Sequence, residues 1–199
     1  MKTYAVLLRG INVGGKNKVP MADLHKCLEG LGFTDVSTLI ASGNAILRSS
    51  LRPDEIAGRI EESLPATFSL DEDLIKVRVL SHDQFHAVVD NKPTGFGEHP
   101  EIYHSDAIFL IGIDAAQAMS VFNPRDGVDK VWPGDEVIYS QRLSSQRTKS
   151  RLSQIAGTPE YRCMTIRSWS TTIKLRALLD GYPPVPPPVS GDRRDRRAT

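Results

Sequence analysis

Residues 4–31 read YAVLLRGINVGGKNKVPMADLHKCLEGL, and the order of elements in this stretch sets the fold of the first half of the chain. Tyr4 to Leu8 is an unbroken apolar run, the pattern of a strand covered on both faces rather than one alternating toward water. Pro20 to Leu31 places Met21, Leu24, Cys27, Leu28 and Leu31 at helical spacing; Pro20 suits the first turn and Gly32 closes the helix. Between them Arg9 to Asn17, RGINVGGKN, packs glycines and two cations into one strand-to-helix loop. Glycine has no Cβ and accepts positive φ, so such loops bring backbone amides close to a ligand. Gly10, Gly15 and Lys16 keep the Walker A spacing as far as the lysine. Asn17 then stands where a magnesium-binding hydroxyl should be, and Val19-Pro20 delays the helix, which argues against nucleotide hydrolysis.

Outward from this stretch, Val36 to Ile40 and Ala45 to Arg48 read as strands around a Ser42-Gly43-Asn44 turn. Pro53 to Leu64 carries Ile56, Ile60 and Leu64 on one helical stripe, and Leu74 to Leu80 alternates as a strand. The order is βαββαβ, the split βαβ arrangement of ferredoxin-like domains. After a helix at His82 to Asp90 the order repeats. Asp106 to Ile111 is a strand, Ala115 to Val121 a helix, and Lys130 to Trp132 with Val137 to Ser140 a hairpin about Pro133-Gly134-Asp135. Arg147 to Ala156 then reads as a helix, Cys163 to Arg167 as a strand and Thr171 to Leu179 as a closing helix. The predicted fold is α+β, a duplication of two ferredoxin-like subdomains at 1–80 and 81–180. The Pro- and Arg-rich tail at 181–199 cannot build a core and is expected to be disordered.

Hydrophobic content of 40% with 25% charged residues is that of a globular chain, and a net charge of +1 argues against wholesale polyanion binding. Cys27 and Cys163 form no CxxC pair. The apolar run YAVLL is too short for a signal peptide and no run approaches membrane-spanning length, so a cytoplasmic protein without a membrane partner is expected.

LLRGINVGGKNKVPM at 7–21, SGN at 42–44 and TIRSWSTTIKL at 165–175 together resemble the bacterial family known as domain of unknown function 1697. The resemblance runs over about residues 1–180. It implies two ferredoxin-like subdomains, in agreement with the element order, and no established activity. The family's RNWN near the end stands here as Arg167-Ser168-Trp169-Ser170, so no role of those two amides carries over.

Ferredoxin-like topology converts these motifs into geometry. The loop after the first strand and the turn between the second and third lie at one edge, so Arg9, Gly10, Asn12, Gly14, Gly15 and Lys16 should face Ser42, Gly43 and Asn44 across a cleft. Amides, a hydroxyl and two cations suit phosphate or carboxylate. The acidic Asp71-Glu72-Asp73 belongs to the same edge, where it could satisfy Arg9 and Lys16 internally. At the opposite edge of the second half, Arg142, Arg147, Lys149, Arg151, Arg167 and Lys174 should surround two helix N-termini. Trp169 there is either a stacking surface for a base or a core anchor. Residues 136–180 carry eight Lys or Arg against three Asp or Glu, and residues 51–90 carry four against nine. These opposite charges suit mutual docking or a homodimer.

His82-Asp83-Gln84-Phe85-His86 imitates a HExxH zinc helix, yet Ser81 and Gln84 already read as a capping box. A third ligand is not evident beyond His99 or His104, so no metal site is assigned, and the sequence names no cofactor. No GxSxG elbow is present, and no GxGxxG follows a strand. Three classes remain: a binding protein for an anionic or phosphorylated ligand, nucleic acid included; an enzyme acting on a small phosphorylated metabolite; or a structural protein whose motif residues only shape turns. The first sheet, with one aromatic on its first and third strands, is expected to be covered on both faces and not to stack bases.

Overall fold

A computed structural model of the 199-residue chain describes residues 1–71 and 75–182. Glu72, Asp73 and Leu74, and with them the expected start of the fourth strand, lie outside the described residues, as does the tail from 183 on. The first half runs β1 (Lys2–Arg9), α1 (Met21–Gly30), β2 (Thr34–Leu39), β3 (Asn44–Ser49), α2 (Pro53–Thr67) and β4 (Lys76–Ser81). Then come α3 (His82–Asp90), β5 (Tyr103–Leu110), α4 (Ala115–Met119), β6 (Asp129–Pro133) and β7 (Val137–Leu143). Three short 3-10 helices, β8 (Met164–Ser168) and α5 (Trp169–Asp180) complete the chain.

The fold is α+β, with two four-stranded sheets ordered β2-β3-β1-β4 and β6-β7-β5-β8, every pairing antiparallel. Alternation along β1 explains its unbroken apolar run. Tyr4, Val6 and Leu8 pack with Leu24 and Leu28 of α1 and Ile56, Ile60 and Leu64 of α2. Ala5 and Leu7 face the other way, into a second core built from Phe85 and Val88 of α3, Trp169, Leu175 and Leu179 of α5, and Phe109 and Tyr139 of the second sheet. Helices α3 and α5 thus pack between the sheets, and a third core under Ile108, Leu110 and Ile138 is closed by Ala118, Ile155 and Met164. Both faces of the first sheet are covered. Tyr4 is buried with its hydroxyl donating to the Leu51 carbonyl at 2.9 Å, which removes it as a base-stacking platform.

One predicted element is corrected. Arg147 to Ala156 is not an α-helix; the segment forms 3-10 helices at Ser144–Lys149, Leu152–Gly157 and Glu160–Cys163. Only Leu152 and Ile155 are buried in the second of these, a spacing of three that matches the 3-10 repeat, and Ser150, Gly157 and Pro159 interrupt any longer helix. The last helix starts two residues earlier than its periodicity suggests, because the Ser168 hydroxyl accepts the Thr171 amide and caps it.

Candidate functional site

The loop after β1 is a miniature hairpin. The Lys16 amide donates to the Val13 carbonyl at 3.0 Å and the Asn12 amide to the Asn17 carbonyl at 3.0 Å, with Gly14 at φ 59° and Gly15 at φ 81° as the two turn residues. Two consecutive positive φ values are the requirement of a type I′ turn, which accounts for both glycines without a ligand. Asn12 and Asn17 also sit at positive φ, which asparagine tolerates. The Asn12 side chain staples the loop. Its Nδ2 donates to the Val19 and Ala41 carbonyls, each at 2.8 Å, and its Oδ1 accepts the Val19 amide at 2.9 Å. Asn17 is buried and exchanges two 2.7 Å hydrogen bonds with Asp71, amide to carboxylate one way and amide to side-chain carbonyl the other. The loops expected to meet at this edge do meet.

Across the cleft, Gly43 sits at φ 73°, and a Cβ there would come within 2.8 Å of Ile11 and 2.9 Å of Leu8. Its carbonyl accepts the Leu8 amide at 2.8 Å, extending the β1 ladder. Asn44 is fully buried, its Nδ2 donating to the Leu39 carbonyl at 3.1 Å and the Ser42 hydroxyl at 2.9 Å.

The residue that joins the halves is Arg167. The sequence pattern groups it with the basic edge of the second half, but alternation along β8 sets Thr165 and Arg167 against the first sheet, while Ile166 is exposed on the far side. The buried guanidinium donates to the carbonyls of Leu8 at 2.8 Å, Ser42 at 2.9 Å, Gly43 at 3.3 Å and Ile166 at 2.9 Å, to Thr165 Oγ1 at 2.8 Å, and to Asn44 Oδ1. All six acceptors are neutral. Burial pulls the Arg167 pKa down to about 10.

These contacts form the floor of a cleft of about 430 Å³ between β1, the loop hairpin and β8. Arg9, Gly10, Asn12, Lys16 and Ser42 line it from the first half, and Tyr161, Met164, Thr165 and Arg167 from the second. Arg9 is half-buried on the wall. Its Nε donates to the Met164 carbonyl at 3.1 Å and its guanidinium lies 5.4 Å from the centre of the Tyr161 ring. Among the described residues no carboxylate pairs with it, and Asp71 is turned to Asn17 instead. The described lining includes no His, Cys, Asp or Glu. Tyr161, Met164 and Thr165 were not singled out in the sequence. The 3-10 conformation that brings Tyr161 over Arg9 left no periodic signal.

The remaining candidates do not join this cleft. Arg142 lies 3.8 Å from Asp106, whose carboxyl is pushed up by burial against the pull of His104 and Arg142. Arg147 borders a separate surface hollow with His104 and Arg142, and Lys149 is exposed. The Arg151 amide donates to Asp129 at 2.9 Å. With the expected α-helix absent there, α5 supplies the one α-helix N-terminus of this edge among the described residues, and Lys174 is exposed on it. Trp169 is the core anchor. It is 8% exposed, its ring centre lies 5.0 Å from Phe96 and 6.4 Å from Tyr139, both edge-on, and Gly97 is packed so closely that a Cβ there would sit 2.2 Å from the indole.

A family model described as "Protein of unknown function (DUF1697)" matches residues 1–139, and the chain belongs to that family. Among solved structures it is similar to the conserved bacterial protein SP0830 from Streptococcus pneumoniae. The TM-score is 0.76 at 28% sequence identity, over 89% of this chain and 98% of that one. No curated protein matches. Among the described residues no helix is long and apolar enough to cross a membrane.

Proposed function

We propose that the chain binds a small anionic ligand, such as a phosphorylated metabolite, in the cleft between β1 and β8. The observation that carries this reading is the charge of the cleft: Arg9 on the wall and Arg167 in the floor have no carboxylate partner among the described residues, and both line the same 430 Å³ space. Arg167 has its donors engaged by backbone carbonyls and by the Thr165 and Asn44 side chains, so it contributes field rather than contacts. Among the described residues Arg9 makes one hydrogen bond, through Nε to the Met164 carbonyl, which leaves its terminal nitrogens to face an anion beside the Ser42 hydroxyl. The volume suits a metabolite, and the covered sheet faces argue against base stacking, so a nucleic acid would have to be held by its phosphates. Binding is favoured over catalysis, since the described lining includes no His, Cys, Asp or Glu to serve in proton transfer.

The shared strand order of the sheets further supports reading the chain as a duplication of a ferredoxin-like unit, 1–80 and 81–180. On that reading the cleft is where the first and last strands of the two units approach. The free thiols of Cys27 and Cys163 agree with a reducing cytoplasm.

Titration calorimetry of inorganic phosphate, glucose 6-phosphate, AMP and a short oligonucleotide into wild type and Arg9→Ala tests the reading. A charge-assisted bond is worth about 1.5–3 kcal/mol, so the substitution should weaken binding about tenfold or more. Unchanged affinities with a lowered melting temperature would make Arg9 a structural residue.

A further inference from the structure

The HExxH-like helix has a partner that its own sequence neighbourhood hides. On α3, His82 and His86 stand one turn apart with their rings stacked at 4.1 Å between centres. The end of α5 brings Asp180 against both: its Oδ1 lies 2.8 Å from His86 Nε2 and 3.9 Å from His82 Nε2. One donor atom from each of the three residues falls within 4.8 Å of the others. His99 and His104 are elsewhere, beside Glu101 and Asp106.

Hydrogen bonding alone leaves this cluster unsatisfied. His86 Nε2 is buried and, for all its closeness to Asp180, makes no aligned hydrogen bond. His82 Nδ1 lies 3.4 Å from Asp83, and an imidazole donating there turns the lone pair of Nε2 toward the Asp180 carboxylate. In that tautomer two acceptors face one another, an arrangement that a shared cation satisfies. The neighbouring cation is committed elsewhere, since Arg176, one turn before Asp180, is held by Asp90 at 2.6 Å. The seam therefore matches α3 to α5 in two steps, Asp90 with Arg176 and the two histidines with Asp180.

We propose that His82, His86 and Asp180 form a binding site for a first-row divalent metal ion, with zinc the best fit to two imidazoles and a carboxylate. Bonds of about 2.0–2.1 Å to a tetrahedral ion would place the donors about 3.3 Å apart, an adjustment within reach of side-chain rotation from the observed cluster. Asp83 is the outer partner that fixes the His82 tautomer, as carboxylates commonly do for ligating histidines. The ion would pin the last turn of α5 to the first turn of α3, with its fourth position open to water. This site shares no residue with the cleft and stands or falls independently of it.

The test is competitive titration of zinc chloride into the untagged full chain, freed of metal by a chelator, with a chromophoric indicator. One equivalent should bind saturably. Loss of a ligand should cost at least the tenfold to hundredfold typical of an outer-shell change, so His82→Ala, His86→Ala and Asp180→Asn should each weaken binding at least tenfold, with His104→Ala and, on α1 beside Glu29, His25→Ala unchanged. Zinc at about a hundred times its Kd should raise the melting temperature of the wild type by about 5–10 °C and leave the three ligand variants unmoved. Should His86→Ala fail to fold, the isosteric Asp180→Asn and the half-exposed His82→Ala decide the matter. The proposal is overturned if no saturable one-to-one binding is found, if His82→Ala and Asp180→Asn bind as wild type does, or if His104→Ala loses as much.

Discussion

Arg9 and Arg167 line one cleft, carry the same guanidinium and meet opposite fates. Arg167 is buried and donates to six neutral acceptors drawn from both sheets, so its charge holds the halves in register. Arg9 is half-buried, spends Nε on the Met164 carbonyl and rests against Tyr161. The difference lies in what the backbone offers each. The floor supplies a ring of carbonyls that needs a cation, while the wall offers one. Identical chemistry is therefore structural at one depth of the cleft and, on the proposed reading, open to a ligand at the other.

Substitutions should separate the two roles. Arg167→Ala strands the Leu8, Ser42 and Gly43 carbonyls and the Asn44 side chain, and should cost about 3–5 kcal/mol in chemical denaturation. A loss below about 1 kcal/mol would mean that its bonds only offset the desolvation of the charge. Next, Gly43→Ala forces a Cβ against Ile11 and Leu8 at a positive φ, for about 2–4 kcal/mol, whereas Gly14→Ala, with open space around it, should cost only about 1 kcal/mol of backbone strain. Equal losses at the two glycines would remove the distinction between floor and rim. Asn12→Ala, which cuts three loop hydrogen bonds, should fall between them at about 2 kcal/mol.

A smaller effect probes the core behind the floor. The Tyr139 hydroxyl donates to the Val88 carbonyl at 2.6 Å, and burial pushes its pKa up to about 12 from 10.0. The folded state thus holds this proton more tightly than the unfolded state does. The corresponding stability is present below pH 10 and is lost as pH rises through about 12. Tyr139→Phe should lower stability by about 1 kcal/mol at neutral pH and flatten the decline above pH 10. Denaturation midpoints at pH 8 to 11 would check it, and parallel curves for both proteins would contradict the assignment. Smallest of all, Arg9→Ala should change stability by about 1 kcal/mol or less, its measurable consequence being in ligand affinity.

Much of this arrangement is legible in the sequence. The apolar run of β1 required cover on both faces, and the order of strands and helices placed the Arg9 loop opposite Ser42 and Asn44, because alternation and helical spacing are local signals. What stayed hidden depends on partners distant in sequence. Nothing near Arg167 says that its side of β8 meets carbonyls more than a hundred residues away, and nothing near His86 points to Asp180. The segment 147–156 misled for a different reason: two apolar residues three apart fit an α-helix and a 3-10 turn equally well. Trp169 was open to two readings, and the close approach of Gly97 decides for the core.

The division of labour between wall and floor is tested most directly by following the arginine Nε–H resonances of the two residues by NMR while inorganic phosphate and then AMP are titrated into the protein. Saturable movement of the Arg9 resonance with that of Arg167 nearly still is the expected result. Movement of neither with both ligands, or of Arg167 without Arg9, would contradict it.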